Sequence, residues 1–331
     1  MKKLFVISDG RAGHYNQSLA VADALGTIDE TEVRYIEVKV RKFGKYLLRM
    51  LLNTVWGRNF FKHFPSSVWV KLFYRGYEEK ERPGIIVSAG KDTSLLNALL
   101  ASMYGSMNFF IGHPKKLDHT LFTAVLTVLD LGFENQILLD VAPTRAYSGD
   151  IKAFMSKFHL APEENYYALL IGGDGSGYRY DEEDIDRLIA FVNSSSDRIR
   201  WLVTTSRRTP EVFERKMERE MHTACFIAYH KDPQKVVAGF LALSKMIFVT
   251  QESASMVSEG VAAGKPVVTL VPKVADPENN YRKILENFSS RKRLLPVNIS
   301  DLSRMEFNVG ELTPLTRDSI EEISEKLKGF L

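Results

Sequence analysis

The chain has 331 residues, 45% of them hydrophobic and 26% charged, with a net charge of +3. That length accommodates two domains of ordinary size, and the composition is that of a globular protein, which excludes low-complexity and disulfide-stapled classes. So small a net charge does not imply nucleic acid as a partner, and a single cysteine, Cys225, excludes an intrachain disulfide and a cysteine metal cluster and fits a reducing, cytoplasmic setting.

The first predicted element is a buried strand at Leu4–Ser8, because its four-residue apolar core is shorter than the ~7–15 residues of a signal-peptide core. It breaks into Ser8-Asp9-Gly10-Arg11-Ala12-Gly13-His14, ahead of a helix rich in Ala and Leu. Gly10 and Gly13 let the backbone turn tightly and approach a ligand. His14, at the helix start, is the candidate general base. Asp9 and Asp92 are rival bases, each equally placed to cap the helix that follows it. Gly10, Gly13 and Asp92 are the candidate ligand contacts of this half.

A strand at Glu32–Val38 leads into a segment of different character. From Arg41 to Lys80 basic residues (Arg41, Lys42, Lys45, Arg49, Arg58, Lys62, Lys71, Arg75, Lys80) alternate with Phe43, Tyr46, Trp56, Phe60, Phe61, Phe64, Trp69, Phe73 and Tyr74. Basic aromatic helices suit an anionic membrane surface. A long crossover whose rings pack on the sheet explains the same residues equally well. Strands follow at Gly84–Ser88, Asn108–Ile111, Ala124–Thr127 and Gln136–Leu139. The uncharged stretch from Thr93 to Gly112 is interrupted by Asn97, Ser102, Gly105, Ser106 and Asn108, so it divides into a helix and a strand and is not a membrane span. Pro143, Gly149, Asp150 and Pro162 mark a connection between Val141 and Tyr166, which sets domain boundaries at 1–150 and 151–331.

The second half restarts the alternation, with strands at Tyr167–Ile171, Arg200–Thr204, Cys225–Tyr229, Met246–Thr250 and Val267–Leu270. Strands alternating with helices predict parallel sheets covered on both faces. The fold class is therefore α/β, two Rossmann-like domains facing a cleft, closed by an amphipathic helix over Arg317–Leu331. Gly172 and Gly173 open a glycine-rich turn that matches neither the dinucleotide fingerprint nor the P-loop, and no G-x-S-x-G nucleophile elbow occurs. Asp184 and Asp186 form the only D-x-D, within a helical stretch, and read as a solvated acidic helix start. No histidine spacing suits a metal.

The stretch Ile247–Leu270 is the most informative. It reads as strand, hydroxyl-rich turn, small-residue helix stopped by Gly264, and a second strand after Pro266. A helix N-terminus carries unpaired N–H groups and partial positive charge, so Ser253 and Ser255 mark a diphosphate site. Glu259, about one turn deeper, is placed to accept hydrogen bonds from ribose hydroxyls. Arg207 and Arg208, beside Ser206 at another strand end, suit phosphate oxygens, with Arg207 assigned to the diphosphate. Glu278 and Asn279 follow the next strand and are candidates for reading sugar hydroxyls, although turn chemistry also explains them.

These residues resemble the mitochondrial-fission Elm-like family, described as glycosyltransferases. The matching pieces are Asp9-Gly10-Arg11-Ala12-Gly13-His14, Leu170–Gly173, Val203–Pro210, and Val249-Thr250-Gln251-Glu252-Ser253 through Ser258-Glu259 to Gly264-Lys265-Pro266, in matching order along nearly the whole chain. More distantly the pattern resembles GT-B glycosyltransferases such as the peptidoglycan N-acetylglucosaminyltransferases. There a glycine loop with a histidine meets the acceptor and a C-terminal glutamate holds the donor ribose. Gly13, His14 and Glu259 would be the corresponding residues, except that Gly10 and Gly13 are separated where those enzymes have adjacent glycines. The expected activity is metal-independent transfer of a sugar from a nucleotide-diphosphate donor to a lipid-linked or cell-envelope glycan. No cofactor and no nucleic acid partner are expected, and the protein would be cytoplasmic and peripheral at the inner membrane surface. The rival expectations are a nucleotide-sugar 2-epimerase and a non-catalytic membrane-associated adaptor.

Overall fold

The computed structural model describes residues 1–41, 44–305 and 310–330. Lys42 and Phe43 of the basic aromatic segment, and Leu331 of the last predicted helix, lie outside the described residues. The chain forms two compact units: Met1–Arg145 with the chain from Ser319 onward, and Ala146–Asp318.

The first unit runs β1 (Lys2–Ser8), α1 (Ala12–Gly26), β2 (Thr31–Glu37), β3 (Lys39–Val40), α2 (Lys45–Leu52), α3 (Val55–His63), α4 (Ser67–Phe73), β4 (Tyr74–Arg75), β5 (Ile85–Ala89), α5 (Lys91–Tyr104), β6 (Met107–Ile111), β7 (Ala124–Thr127) and β8 (Gln136–Leu138). Its six-stranded sheet has the order β2-β1-β5-β6-β7-β8, all parallel. Successive side chains of a strand point to opposite faces. Accordingly Leu4 and Val6 join the core under α1, while Phe5 and Ile7 join the core under the helices α2–α5. A parallel sheet covered on both sides needs strands that are apolar throughout, and Leu4 to Ile7 are all fully buried. The uncharged stretch is α5 and β6, as the sequence predicts. Its buried Asn97 donates to Ser88 Oγ (2.9 Å) and the Phe109 carbonyl (3.1 Å), and accepts from Asn108 Nδ2 (2.8 Å). These partners remove the cost of burying an amide and tie α5 to both neighbouring strands.

The second unit runs α6 (Ile151–Lys157), β9 (Tyr166–Leu170), β10 (Tyr178–Arg179), α7 (Glu182–Ser195), β11 (Arg200–Thr204), α8 (Glu211–Glu220), β12 (Cys225–Ile227), α9 (Val237–Leu243), β13 (Met246–Thr250), α10 (Ala254–Ala262), β14 (Val267–Val271), β15 (Val274–Ala275), α11 (Asn279–Ser290) and β16 (Leu295–Asn298). Its parallel sheet has the order β12-β11-β9-β13-β14-β16. Trp201 on β11 is fully buried, packs edge-on against Phe248 at 5.2 Å, and donates its indole N–H to Ser195 Oγ at 3.0 Å. The edge strand β16 is absent from the sequence reading. Pro296 interrupts its pattern, and an edge strand tolerates the missing N–H.

Two expectations are corrected. The last helix, α12 (Ser319–Leu327), forms where its apolar spacing predicts, but it belongs to the first unit and not to the second. Ile323 and Leu327 enter the core that holds Leu4 and Val6, and burying each is worth about 1.5–3 kcal/mol. Ser324 Oγ lies 2.8 Å from Thr27 Oγ1, and Glu322 accepts from the Asp140 N–H at 3.0 Å. Asp184 is not solvated. It is buried as the third residue of α7 and closes a reciprocal capping box with Asp181, and burial raises its pKa. Among the described residues no helix is long and apolar enough to cross a membrane.

Candidate functional site

Both sheets reverse direction once, and ligands of open α/β sheets collect at the strand ends where order reverses. In the second unit the chain builds outward from β9 through β11 to β12, then returns to the other side of β9 as β13. The reversal therefore brings the loop after β9, Ile171–Gly175, beside the loop after β13, Gln251–Ser253. The Gly172 N–H donates to Thr250 Oγ1 at 2.7 Å, fixing the two loops together. The loop after β11 closes the group. Ser206 Oγ and Thr209 Oγ1 both donate to the Gly172 carbonyl, at 2.5 and 2.6 Å.

A buried carboxylate sits at the centre. The Glu252 side chain has no exposed surface; Tyr180 donates its O–H to Oε2 at 2.8 Å and Arg208 Nη2 donates to Oε1 at 3.1 Å. Burial pushes this carboxyl up to about 7, against the opposing pull of the Tyr180 hydrogen bond and the Arg208 charge. Gly172 leaves room for this carboxylate, since a Cβ at that position would lie 1.5 Å from Glu252 Oε1 and displace it. The start of α10 follows directly. Ser253 is its N-cap residue, is buried, and makes no side-chain cap hydrogen bond, so the first N–H groups of the helix are not capped by it. Ser255 is exposed in the first turn, and Glu259 lies on the same face one turn on. Glu259 is half-buried, loss of surrounding water pushes its carboxyl up to about 7, and no hydrogen bond to its side chain forms among the described residues.

The expected donor residues are thus largely gathered, with two redistributions. Arg207 is exposed, and it is Arg208 that turns into the glycine loop. Ser206 spends its hydroxyl on the Gly172 carbonyl. Gly173, with φ +128, passes under the Arg208 carbonyl. Glu278 and Asn279 are exposed at the start of α11, which the Tyr281 hydroxyl fastens to the Gln251 carbonyl. Glu252, Arg208 and Tyr180 were missed as a set. Glu252 lies inside the hydroxyl-rich turn, but its partners are 44 and 72 residues away in the chain.

In the first unit the reversal falls between β1 and β5. The sequence offers His14 and Asp9 as rivals; the structure pairs them. His14 Nδ1 lies 3.0 and 3.2 Å from the two Asp9 oxygens. A carboxylate only accepts, so Nδ1–H donates and Nε2 is left as the proton-accepting nitrogen. Asp9 also accepts from the Arg11 N–H at 3.2 Å. Gly10 adopts φ +78 and donates to Ser8 Oγ at 3.0 Å, and Gly13 is the second residue of α1. Gly90, at the end of β5 with φ +89, makes room for the imidazole, because a Cβ there would lie 2.3 Å from Nδ1. Asp92 does not cap α5. It lies in the first turn and is ion-paired with Lys45. Among the described residues no three His, Cys, Asp or Glu side chains converge as a metal-binding group.

Comparison with known proteins agrees with this architecture. The sequence model described as "Mitochondrial fission ELM1" matches residues 12–321. The uncharacterised protein RP120 of Rickettsia prowazekii (strain Madrid E) is 21% identical over 309 residues, covering 81% of this chain and 83% of RP120. The UDP-GlcNAc 2-epimerase of Methanocaldococcus jannaschii superposes with a TM-score of 0.56 at 12% identity, covering 98% of each chain. Arabidopsis thaliana UGT89C1 complexed with UDP superposes with a TM-score of 0.54 at 12% identity, covering 99% of this chain and 94% of that one. At such identities the likeness is one of fold: two Rossmann-like α/β units of the GT-B type.

Proposed function

Because the chain belongs to the mitochondrial fission ELM1 family and gathers its polar residues where the sheets reverse, we propose that it is a GT-B-type glycosyltransferase using a nucleotide-diphosphate sugar. The observation that carries this reading is the start of α10. It is a helix N-terminus left uncapped by Ser253, with Arg208 one loop away and a Glu259 carboxylate that has no hydrogen-bond partner among the described residues. The diphosphate would take the helix N–H groups, Ser255 and Arg208, and the ribose hydroxyls would satisfy Glu259. Glu252 positions Arg208, and Tyr180 holds Glu252.

In the proposed reaction an acceptor hydroxyl attacks the anomeric carbon, the bond from that carbon to the diphosphate oxygen breaks, and the hydroxyl proton passes to His14 Nε2. Asp9 would hold the imidazole in the accepting tautomer and steady the imidazolium that forms. Charge growing on the departing diphosphate would meet the α10 dipole and Arg208, so the reading calls for no divalent cation. The acceptor is a lipid-linked or cell-envelope glycan met at a membrane surface. UDP in the UGT89C1 complex supports that nucleotide as the first to test.

A 2-epimerase is the second reading, favoured by the likeness to the M. jannaschii enzyme. It would use the same donor cradle without an acceptor. Calorimetric titration with UDP, GDP, CMP and ADP, without metal and again with magnesium, tests the shared part. Saturable binding of one nucleotide, lost in Glu259→Ala, is expected. Binding that persists in that variant would refute the ribose assignment, and no binding at all would leave a non-catalytic adaptor as the better account. Incubating the sugar conjugate of the bound nucleotide alone then separates epimerase from transferase, since only the former changes it without an acceptor.

A further inference from the structure

The basic aromatic segment of the first unit is neither wholly core nor wholly solvated. Helices α2, α3 and α4 each bury one face in the core of the first unit, through Leu48 and Leu52, Phe61, and Val70 and Phe73. A water-facing helix presents polar residues on its other side. These three present large apolar ones. Tyr46 is 74% exposed, Trp56 71% and Phe64 63%, and Leu47, Met50, Val55, Val68 and Leu72 are exposed with them. The spacing makes a continuous face on each helix: Tyr46 and Met50 are one turn apart on α2, and Val68 and Leu72 one turn apart on α4. Between them Trp56 stacks on Phe60 at 5.9 Å, Phe64 packs tilted on Phe60 at 5.5 Å, and Trp69 meets Phe60 edge-on at 5.2 Å. Phe60 and Trp69 are half-buried against the core, and Phe60 in turn holds the exposed Trp56 and Phe64 in place at the surface.

Charge completes the pattern. The forty residues from Val38 to Tyr77 hold nine basic and no acidic residues, whereas the other 35 basic residues of the chain face all 41 acidic ones. Lys62, Lys71 and Arg75 are exposed and make no ion pair among the described residues. Lys45 is different, since its ammonium is neutralised by Asp92. Exposed rings and aliphatic chains beside unpaired cations complement a bilayer whose headgroups are anionic and whose interior is apolar. Nucleic acid would use the cations and rings but would leave Leu47, Met50, Val68 and Leu72 in water.

We propose that α2–α4 form an interfacial docking face that lays Tyr46, Leu47, Met50, Trp56, Phe64 and Leu72 into an anionic bilayer, with Lys62, Lys71 and Arg75 at the phosphate level. This deepens the lipid-acceptor reading above by naming the surface that meets the membrane, and it is tested independently of nucleotide binding. Trp56 is the reporter, because Trp201 is buried and Trp69 half-buried.

The test is co-sedimentation of the full chain with phosphatidylcholine vesicles containing either no or about 30% phosphatidylglycerol, with tryptophan fluorescence read in parallel. The anionic vesicles should bind at least about tenfold more tightly, salt should weaken them, and Trp56 emission should shift to the blue and be quenched by bromolipid. Lys62→Glu with Lys71→Glu should weaken binding more than about tenfold, at about fivefold per cation removed. Trp56→Ser with Phe64→Ser should do so as well. The lysine pair should keep the wild-type melting temperature. The serine pair should lower it only slightly, because Trp56 and Phe64 are exposed and lose only their contacts with Phe60. A wild-type chain that stays in the supernatant, or either double variant binding anionic vesicles as the wild type does, overturns the proposal. A change of oligomeric state in the serine variant with vesicle binding intact also overturns it, and identifies the face as a contact between copies. Vesicle binding as expected in a protein that binds no nucleotide would leave this inference standing and sink the proposed enzymatic function.

Discussion

The two strand-order reversals hold candidate sites of opposite construction. In the first unit the polar pair is local: Asp9 and His14 are five residues apart, joined across one turn, with the His14 side chain 30% exposed. In the second, Glu252, Arg208, Tyr180 and Gly172 come from four separate stretches, and the carboxylate has no exposed surface. A local pair with one partner open to water costs little to assemble. A buried charge must be desolvated, and its partners must all be present at once. The first arrangement suits a group that exchanges protons, and the second suits one that holds an arginine in a fixed place.

Substitutions sharpen this contrast, the largest effect first. Gly172→Ala places a methyl into Glu252 and should cost about 3 kcal/mol in urea unfolding, with the oxygens of Glu252 displaced from Arg208. A loss under about 1 kcal/mol would mean that the loop yields and the cradle is soft. Arg208→Met leaves Glu252 buried without its cation and should cost about 2 kcal/mol at pH 8. The cost should shrink at pH 5. The Glu252 carboxyl titrates near 7 when folded against 4.5 ordinarily, so its contribution to stability is complete below about 4.5 and is lost as pH rises through 7. A cost independent of pH would show that Arg208 serves packing and not charge.

Glu259 obeys the same sign, with no partner among the described residues to offset the loss of water. Glu259→Gln should raise stability at pH 8 by on the order of 1–2 kcal/mol and leave it unchanged at pH 5, in thermal melts at the two pH values. No gain at pH 8 would mean that the carboxylate is hydrated when empty. The smallest effect belongs to the first unit. His14→Ala should change stability by less than about 1 kcal/mol, because the imidazole is partly exposed and Asp9, though mostly buried, keeps the Arg11 N–H and guanidinium. A larger loss would make the dyad a structural clamp instead of a reactive pair.

Much of the architecture is legible in the sequence. Every strand read from the apolar runs is present, and the uncharged stretch from Thr93 divides into α5 and β6 as its interruptions predict. Of the candidate sites, the Asp9–His14 turn and the serines and Glu259 of α10 were legible because each lies within one strand-to-helix junction. Arg207 and Arg208 are indistinguishable in sequence as phosphate ligands, because they are adjacent in one loop. Only the path of the loop after β11 turns one inward to Glu252 and the other to solvent.

The sequence by itself determined the α/β alternation, the covering of both sheets and the places where each strand breaks into a polar turn, because hydrophobic period and glycine placement act within a few residues. Only the tertiary structure decided which turns meet. Strand order brings Gly172 to Thr250 and Gly90 to His14, and it sends α12 back to the first unit, where Ile323 and Leu327 find an unfilled apolar face. Those decisions rest on contacts between residues far apart in the chain, whose free energy exists only once the sheets have formed.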